Sequence, residues 1–440
     1  MKKLFGHILL MVMIVAVAAG CSKSGNGDSD ALLRTIPADA SSVAMLNLQQ
    51  AVKSVGGKTD GKTIELPAEL QEAVAGSNAL RDSHKRIFKD ICNGETGVSM
   101  TSIAFFSAAR SYFTGLLDDP DKFVAYVERL KSENRADSLP AVKAVEQDGM
   151  RQIGDVAVIG NQFWMCVQGT PDTDQLRYYQ TLNGNQSYAS AEAATLLLQQ
   201  DKVLTYVADV KRTLDRMPEA GYSRVAMSMM FDDIAYLAGS ASINGKDVVS
   251  NSVVLNSKMK PAKLLLPAEK IDVSVVKSLD KNGDIFLAAG LSGKLTKKIG
   301  DAITSAFGQQ LSAIATPLAQ IDGTTAVCAD GALTGLEARV QTTGKDFAGL
   351  SQLLQMIPGA GVTRDGDVLT VRYGQAMAPG SIPAADAAAK FKGAWMALLA
   401  NDVPGKGMST LVRLVPADNS LKLDIEMENG LEALMISLLK

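Results

Sequence analysis

At 440 residues, 47% of them hydrophobic, the chain has material for roughly two or three cores. Its formal net charge of −3 comes with no basic run, which excludes nucleic acid as a partner. There are only two histidines, His7 and His84. His7 sits in a segment expected to be removed, so a centre with several histidine ligands is excluded within one mature chain.

In chain order, Lys2 and Lys3 form a positive head, Ile8 to Val17 is apolar, and Ala18-Ala19-Gly20 stands directly before Cys21. The apolar run, about ten residues, is half of the about 20 that a membrane span needs, which favours a cleaved signal over a transmembrane anchor. The arrangement resembles a bacterial lipoprotein signal. Residues 1–20 are expected to leave, and Cys21 to become the first residue, carrying diacylglyceryl and further acyl groups. Two or three acyl chains on Cys21 meet the requirement for stable anchoring, so the membrane is a partner through lipid on Cys21. Ser22, in place of Asp, resembles the outer-membrane sorting choice. Ser22 to Asp30 is small and polar, and residues 21–33 read as a flexible tether.

Pro37 and Asp39 then predict a turn, Val43 to Leu48 a buried strand, and Leu48 to Val55 a short helix. A lipobox, a polar tether and Ile36-Pro37-Ala38-Asp39-Ala40 opening into Val43-Ala44-Met45-Leu46-Asn47-Leu48 together resemble a family of uncharacterised Bacteroidota-type envelope lipoproteins, defined as a domain of unknown function. The resemblance implies an envelope address and no reaction, and it carries over no functional residues.

Gly56 to Thr63 satisfies the Walker A spacing. The chemistry needs a strand before the loop and a helix starting at Lys62-Thr63, whereas Ala51 to Val55 reads as helix and Pro67 follows closely. Nucleotide is therefore not assigned. One amphipathic helix is expected over Glu69 to Ile91, with His84 on its solvated face.

From Ser102 the pattern turns to strands at Ile103 to Phe106 and Tyr112 to Leu117. A helix starting at Asp118-Asp119-Pro120 and a hairpin of Asp155 to Ile159 with Phe163 to Val167 complete a strand-strand-helix-strand-strand unit. Between this unit and its counterpart, helices are expected across Ala189 to Leu214, and strands at Arg224 to Met230, Val248 to Leu255 and Lys263 to Leu266. The same order then returns with Thr325 to Cys328, Leu336 to Val340, a helix marked by Phe347, Leu350, Leu353 and Leu354, and a hairpin of Val362 to Arg364 with Val368 to Val371. Ala378 to Ala389 reads as a linker and Phe391 to Leu399 as a helix. Strands at Thr410 to Val415 and Leu421 to Met427 and an apolar-striped helix, Leu431 to Leu439, finish the chain.

The expected fold class is α+β, with two similar halves, 34–270 and 271–440, each on a mostly antiparallel sheet. Coincidental recurrence of a common α+β unit is the competing account of the repeat.

Chemistry is sparse. Cys92, Cys166 and Cys328 allow at most one disulfide, and Cys166 and Cys328 lie in strand-like patterns that favour buried free thiols. Asp280 to Asp284 starts like a calcium loop, but Ile285 and Leu291 stand where glycine and a bidentate glutamate belong. Asp118, Asp119 and Asp121 suit a helix N-terminus, and Asp232-Asp233 could join a carboxylate pair. Trp164 and Trp395 read as core rather than sugar platforms. No cofactor, metal or catalytic residue is assigned. Two functions remain open: a non-catalytic binding or assembly lipoprotein of the envelope, engaging another envelope protein, and a histidine-independent hydrolase using paired carboxylates.

Overall fold

The computed structural model describes residues 26–133, 140–199, 201–216, 230–265, 268–307, 316–342, 348–374, 380–401, 408–418 and 420–431. Cys21, the signal segment, most of the expected strand at Arg224 to Met230 and the final striped helix beyond Leu431 lie outside these residues.

The chain opens with helix α1 (Asn26–Arg34), strand β1 (Ser42–Asn47), helix α2 (Leu48–Ser54) and a small hairpin of β2 (Lys58–Thr59) and β3 (Ile64–Glu65). Helices α3 (Ala68–Gly76) and α4 (Asp82–Cys92) lead into β4 (Val98–Ser107), β5 (Ser111–Leu117) and helix α5 (Pro120–Glu133). Four short strands follow: β6 (Val145–Gln147), β7 (Met150–Ile153), β8 (Val156–Ile159) and β9 (Gln162–Cys166). Next come α6 (Thr173–Gln180), α7 (Ala194–Leu197), β10 (Leu204–Asp209), α8 (Val210–Asp215), β11 (Tyr236–Asn244) and β12 (Asp247–Leu255). The later part runs α9 (Val273–Lys277), β13 (Ile285–Leu291), α10 (Gly293–Phe307), β14 (Ile321–Ala329), β15 (Gly335–Thr342), α11 (Ala348–Gln355), β16 (Gly361–Asp365) and β17 (Val368–Gly374). Helix α12 (Ala384–Phe391), β18 (Met396–Asn401), β19 (Ser409–Ala417) and β20 (Ser420–Glu428) end it.

Apart from the β2–β3 hairpin, these strands form one 18-stranded mixed α/β platform in which every pairing is antiparallel. Traced through its pairings, the order is β6-β7-β8-β9-β5-β4-β1-β10-β11-β12-β20-β19-β18-β13-β14-β15-β17-β16. Side chains alternate across a strand, so each sheet face gathers its own core. On β1, Val43 and Met45 join Leu32 and Leu33 of α1, Leu176 and Tyr179 of α6 and Trp164 of β9. Leu46 points the other way and joins α2, α4 and α5 through Leu48, Ile87, Phe88 and Val127. In the later strands, Phe286, Ala288 and Cys328 pack beneath α9 and α12. Leu350 of α11 covers Val340 and Leu369 on the opposite face.

Several expectations need correction. The tether over 21–33 is helical from Asn26, and Leu32 and Leu33 are fully buried, so the polar run ends where the core begins. The helix expected over Glu69 to Ile91 is broken between Gly76 and Asp82. The span Ala189 to Leu214 contains strand β10. Near Lys263 no strand forms among the described residues; a bridge joins Leu264 to Phe231, flanked by hydrogen bonds from Asp232 N–H to Lys263 O and from Leu265 N–H to Met230 O. The expected linker at 378–389 holds most of α12, whose Ala387 and Ala388 are fully buried, and the helix expected over Phe391 to Leu399 is largely replaced by β18.

Candidate functional site

Cys21 lies outside the described residues. The Walker-like stretch forms the β2–β3 hairpin after helix α2, and Asp60 Oδ1 accepts from the backbone N–H groups of Lys62 and Thr63 at 2.9 and 2.7 Å. Those amides are the ones a phosphate would use, and here they serve the turn. Asp119 Oδ1 accepts from Lys122 N–H at 2.9 Å at the start of α5, which is helix-end capping. Asp233 accepts from the backbone N–H and hydroxyl of Ser257, which holds its carboxyl below the usual range.

Asp280 and Asp284 turn to different partners. Asp284 accepts from the N–H and hydroxyl of Ser381 at 3.0 and 2.8 Å and from Gly331 N–H at 3.1 Å, while Asn401 N–H donates to its carbonyl. These donors favour the ionised carboxylate and lower its pKa, the backbone N–H of Ser381 most. A carboxyl lowered on folding supports the fold above its unfolded pKa and loses that support as pH falls through the folded value. Asp284→Asn is therefore expected to cost about 1–3 kcal/mol at neutral pH. The gap to wild type should hold above about pH 4 and narrow as pH falls below it, as followed by urea unfolding across pH.

His84 is a correction. It is 2% exposed and lies on the inner stripe of α4 with Ile87, Phe88 and Ile91, not on the solvated face. Trp164 and Trp395 are both core, as expected, and Trp395 Nε1 donates to Gly290 O at 2.7 Å. Cys92, Cys166 and Cys328 are free thiols; Cys166 and Cys328 are buried, and desolvation pushes Cys328 up to about 12.

The carboxylate pair that the sequence could not locate lies on β15 and the loop before β13. Glu337 is 3% exposed, and Arg339 Nη2 bonds both its Oε1 at 2.8 Å and Asp280 Oδ1 at 3.1 Å. Arg372 stands opposite Glu337 in the β15–β17 register, bonds Asp280, and brings Nε within 3.9 Å of Glu337 Oε2. Positions 337 and 339 share a face by strand alternation, which the sequence shows. Their meeting with Arg372 and Asp280 needs the register, which it does not show.

Two guanidiniums thus stand against two carboxylates, and the cluster pairs its charges within itself. Among the described residues, every carboxyl group with a resolved shift moves downward, by hydrogen bonding: Asp60, Glu128, Asp201, Asp233, Asp272, Asp284 and Glu428. Within these residues no three His, Cys, Asp or Glu side chains converge as metal ligands, and no helix is long and apolar enough to cross a membrane.

A polar cleft of about 240 Å³ opens beside α1, between the Asp30–Arg34 ion pair and Asn183, Gly184, Ser187 and Ser190. It holds no buried charge or reactive group, so its chemistry is that of a surface contact.

Comparison with protein-family models and with curated proteins gives no match. Among solved structures, crystal form III of TP0453 is similar to this chain at 9% identity and a TM-score of 0.27, covering 81% of this chain and 96% of that one. Crystal form I of the same protein gives 8% identity, the same TM-score and 94% of its length. A likeness at that level carries no argument about this chain.

Proposed function

We propose that this chain is a lipid-anchored protein of the bacterial envelope, held at the outer membrane through acyl groups on Cys21, and that its body binds or assembles with another envelope protein without catalysis. It would belong with the Bacteroidota-type lipoproteins that its opening resembles. The observation that carries the reading is the Met1 to Cys21 pattern, with small residues placed directly before a cysteine. The absence of catalysis is supported by the arginine-neutralised carboxylates Glu337 and Asp280.

The reading includes an old duplication into halves 34–270 and 271–440. Strand order β8-β9-β5-β4-β1-β10-β11-β12 before the middle corresponds, member for member, to β16-β17-β15-β14-β13-β18-β19-β20 after it. The corresponding last strands, β12 and β20, pair with each other. Such an arrangement suits a two-sided scaffold.

Mass spectrometry of the mature protein is expected to find an acylated amino terminus at Cys21, and Cys21→Ala to move the protein from the membrane to the soluble fraction. An unacylated terminus, or one at any other residue, overturns the envelope assignment. Turnover of a glycan or peptide by the soluble fragment from Ser22, with no crosslinked partner from intact cells, would favour the hydrolase instead.

A further inference from the structure

We propose that residues 432–440, the end of the chain, are a strap over one apolar face of the sheet's second half, laid across β20 and β19 to β18. The face itself carries this. Ile425, Val412, Leu398, Leu287 and Val327 stand opposite one another in successive registers, so strand alternation makes them one row across β20, β19, β18, β13 and β14. None of the five is buried, and Leu287 is 44% exposed although β13 is an inner strand. Among the described residues, none of them joins a packed cluster.

The surroundings of this row are closed. On the other face of the same strands, Phe286, Ala397, Leu399 and Leu411 pack with α9 and α12. Followed through Ser250, Ala241 and Leu204, the row itself continues to Leu46 and Ile103 of the first half. There it lies beneath α2, α4 and α5.

The chain leaves the described residues on this same side. Leu431 is 2% exposed, shares a cluster with Leu46 and Val248, and its N–H donates to Lys246 O at 3.0 Å, just before β12. The backbone is already helical at Gly430 and Leu431. Continued at 1.5 Å per residue, the remaining residues advance about 13 Å. From β12 to β18 is three strand spacings, about 14 Å. The way toward β1 is filled by α2 and α4, so the open row is the course left to the chain. Leu434, Met435, Leu438 and Leu439 follow Leu431 at helical spacing, which supplies one apolar stripe to set on the row. About 19 Å long and one row of side chains deep, the patch has the footprint of a short helix. A second copy would need roughly 800 Å² per partner.

The test is oxidation of the mature chain carrying Cys21→Ser, Cys92→Ala, Leu398→Cys and Leu438→Cys, with Lys422→Cys replacing Leu398→Cys as the control on the opposite face. Mass spectrometry of tryptic peptides is expected to find a disulfide between positions 398 and 438 within one molecule, and none between 422 and 438. No disulfide from 398, equal pairing in the control, or a disulfide joining two copies overturns the proposal. Independently, a chain ending at Leu431 is expected to keep the far-ultraviolet circular dichroism of the full chain and to bind several-fold more of an apolar fluorescent dye. Unchanged dye binding overturns it as well.

Discussion

Replacing Trp164 by Ala is expected to lower the unfolding free energy by about 3–5 kcal/mol, the usual cost of emptying a large aromatic site in a core. Trp164 is fully buried and stands edge-on to Phe106 and Tyr112, with ring centroids 6.0 and 6.3 Å away, and lies tilted against Tyr179 at 6.1 Å. This cluster joins β4, β5 and β9 to helix α6, so the gap cannot close without moving a strand or the helix. Trp164→Phe separates volume from polarity. The indole Nε1 is buried and has no hydrogen-bond acceptor, an arrangement that itself costs about 1–3 kcal/mol. Phenylalanine removes that group, so its net effect should be well below that of alanine. Urea titration followed by far-ultraviolet circular dichroism measures both, and equal losses for Phe and Ala would contradict the account.

Glu337→Ala is expected to cost about 3–5 kcal/mol, as for breaking a buried ion pair by removing one partner. The carboxylate is 3% exposed, and Arg339, itself 13% exposed, would keep its charge with only Asp280 beside it. Arg339 also reaches the hydroxyl of Thr370, which holds the guanidinium in place rather than letting it swing to water. The double variant Glu337→Met with Arg339→Met removes both buried charges and should recover much of the loss, because apolar replacements of a whole buried pair are often neutral. A double variant no more stable than Glu337→Ala would show that the pair contributes by packing rather than by charge. Thermal unfolding at fixed pH distinguishes the two.

What the sequence shows of this fold depends on whether a local pattern survives burial. β4, β5, α5 and the β8–β9 hairpin were legible because turn residues punctuate them: Asp118-Asp119-Pro120 before the helix and Gly160-Asn161 in the hairpin. β18 was not, since Met396-Ala397-Leu398-Leu399-Ala400 consists of good helix formers, and its half-buried face is as apolar as its buried one, so the sequence shows no alternation. α12 was hidden by its alanines, which look like linker composition until Phe391 and the sheet close over them. His84 carried a signal that its polar neighbours masked: His84, Ile87, Phe88 and Ile91 fall at i, i+3, i+4 and i+7. The Glu337 cluster was out of reach, because its members lie in separate stretches of chain that only strand register brings together.

The join between β12 and β20 has a consequence for biogenesis. Asn251 cannot meet Asp424 until nearly the whole polypeptide has been made. Until then β12 presents unsatisfied backbone groups, an invitation to pair with any passing strand. A nascent or truncated molecule ending before Ser420 should thus self-associate and require an escort, whereas the finished chain closes its own vulnerable border.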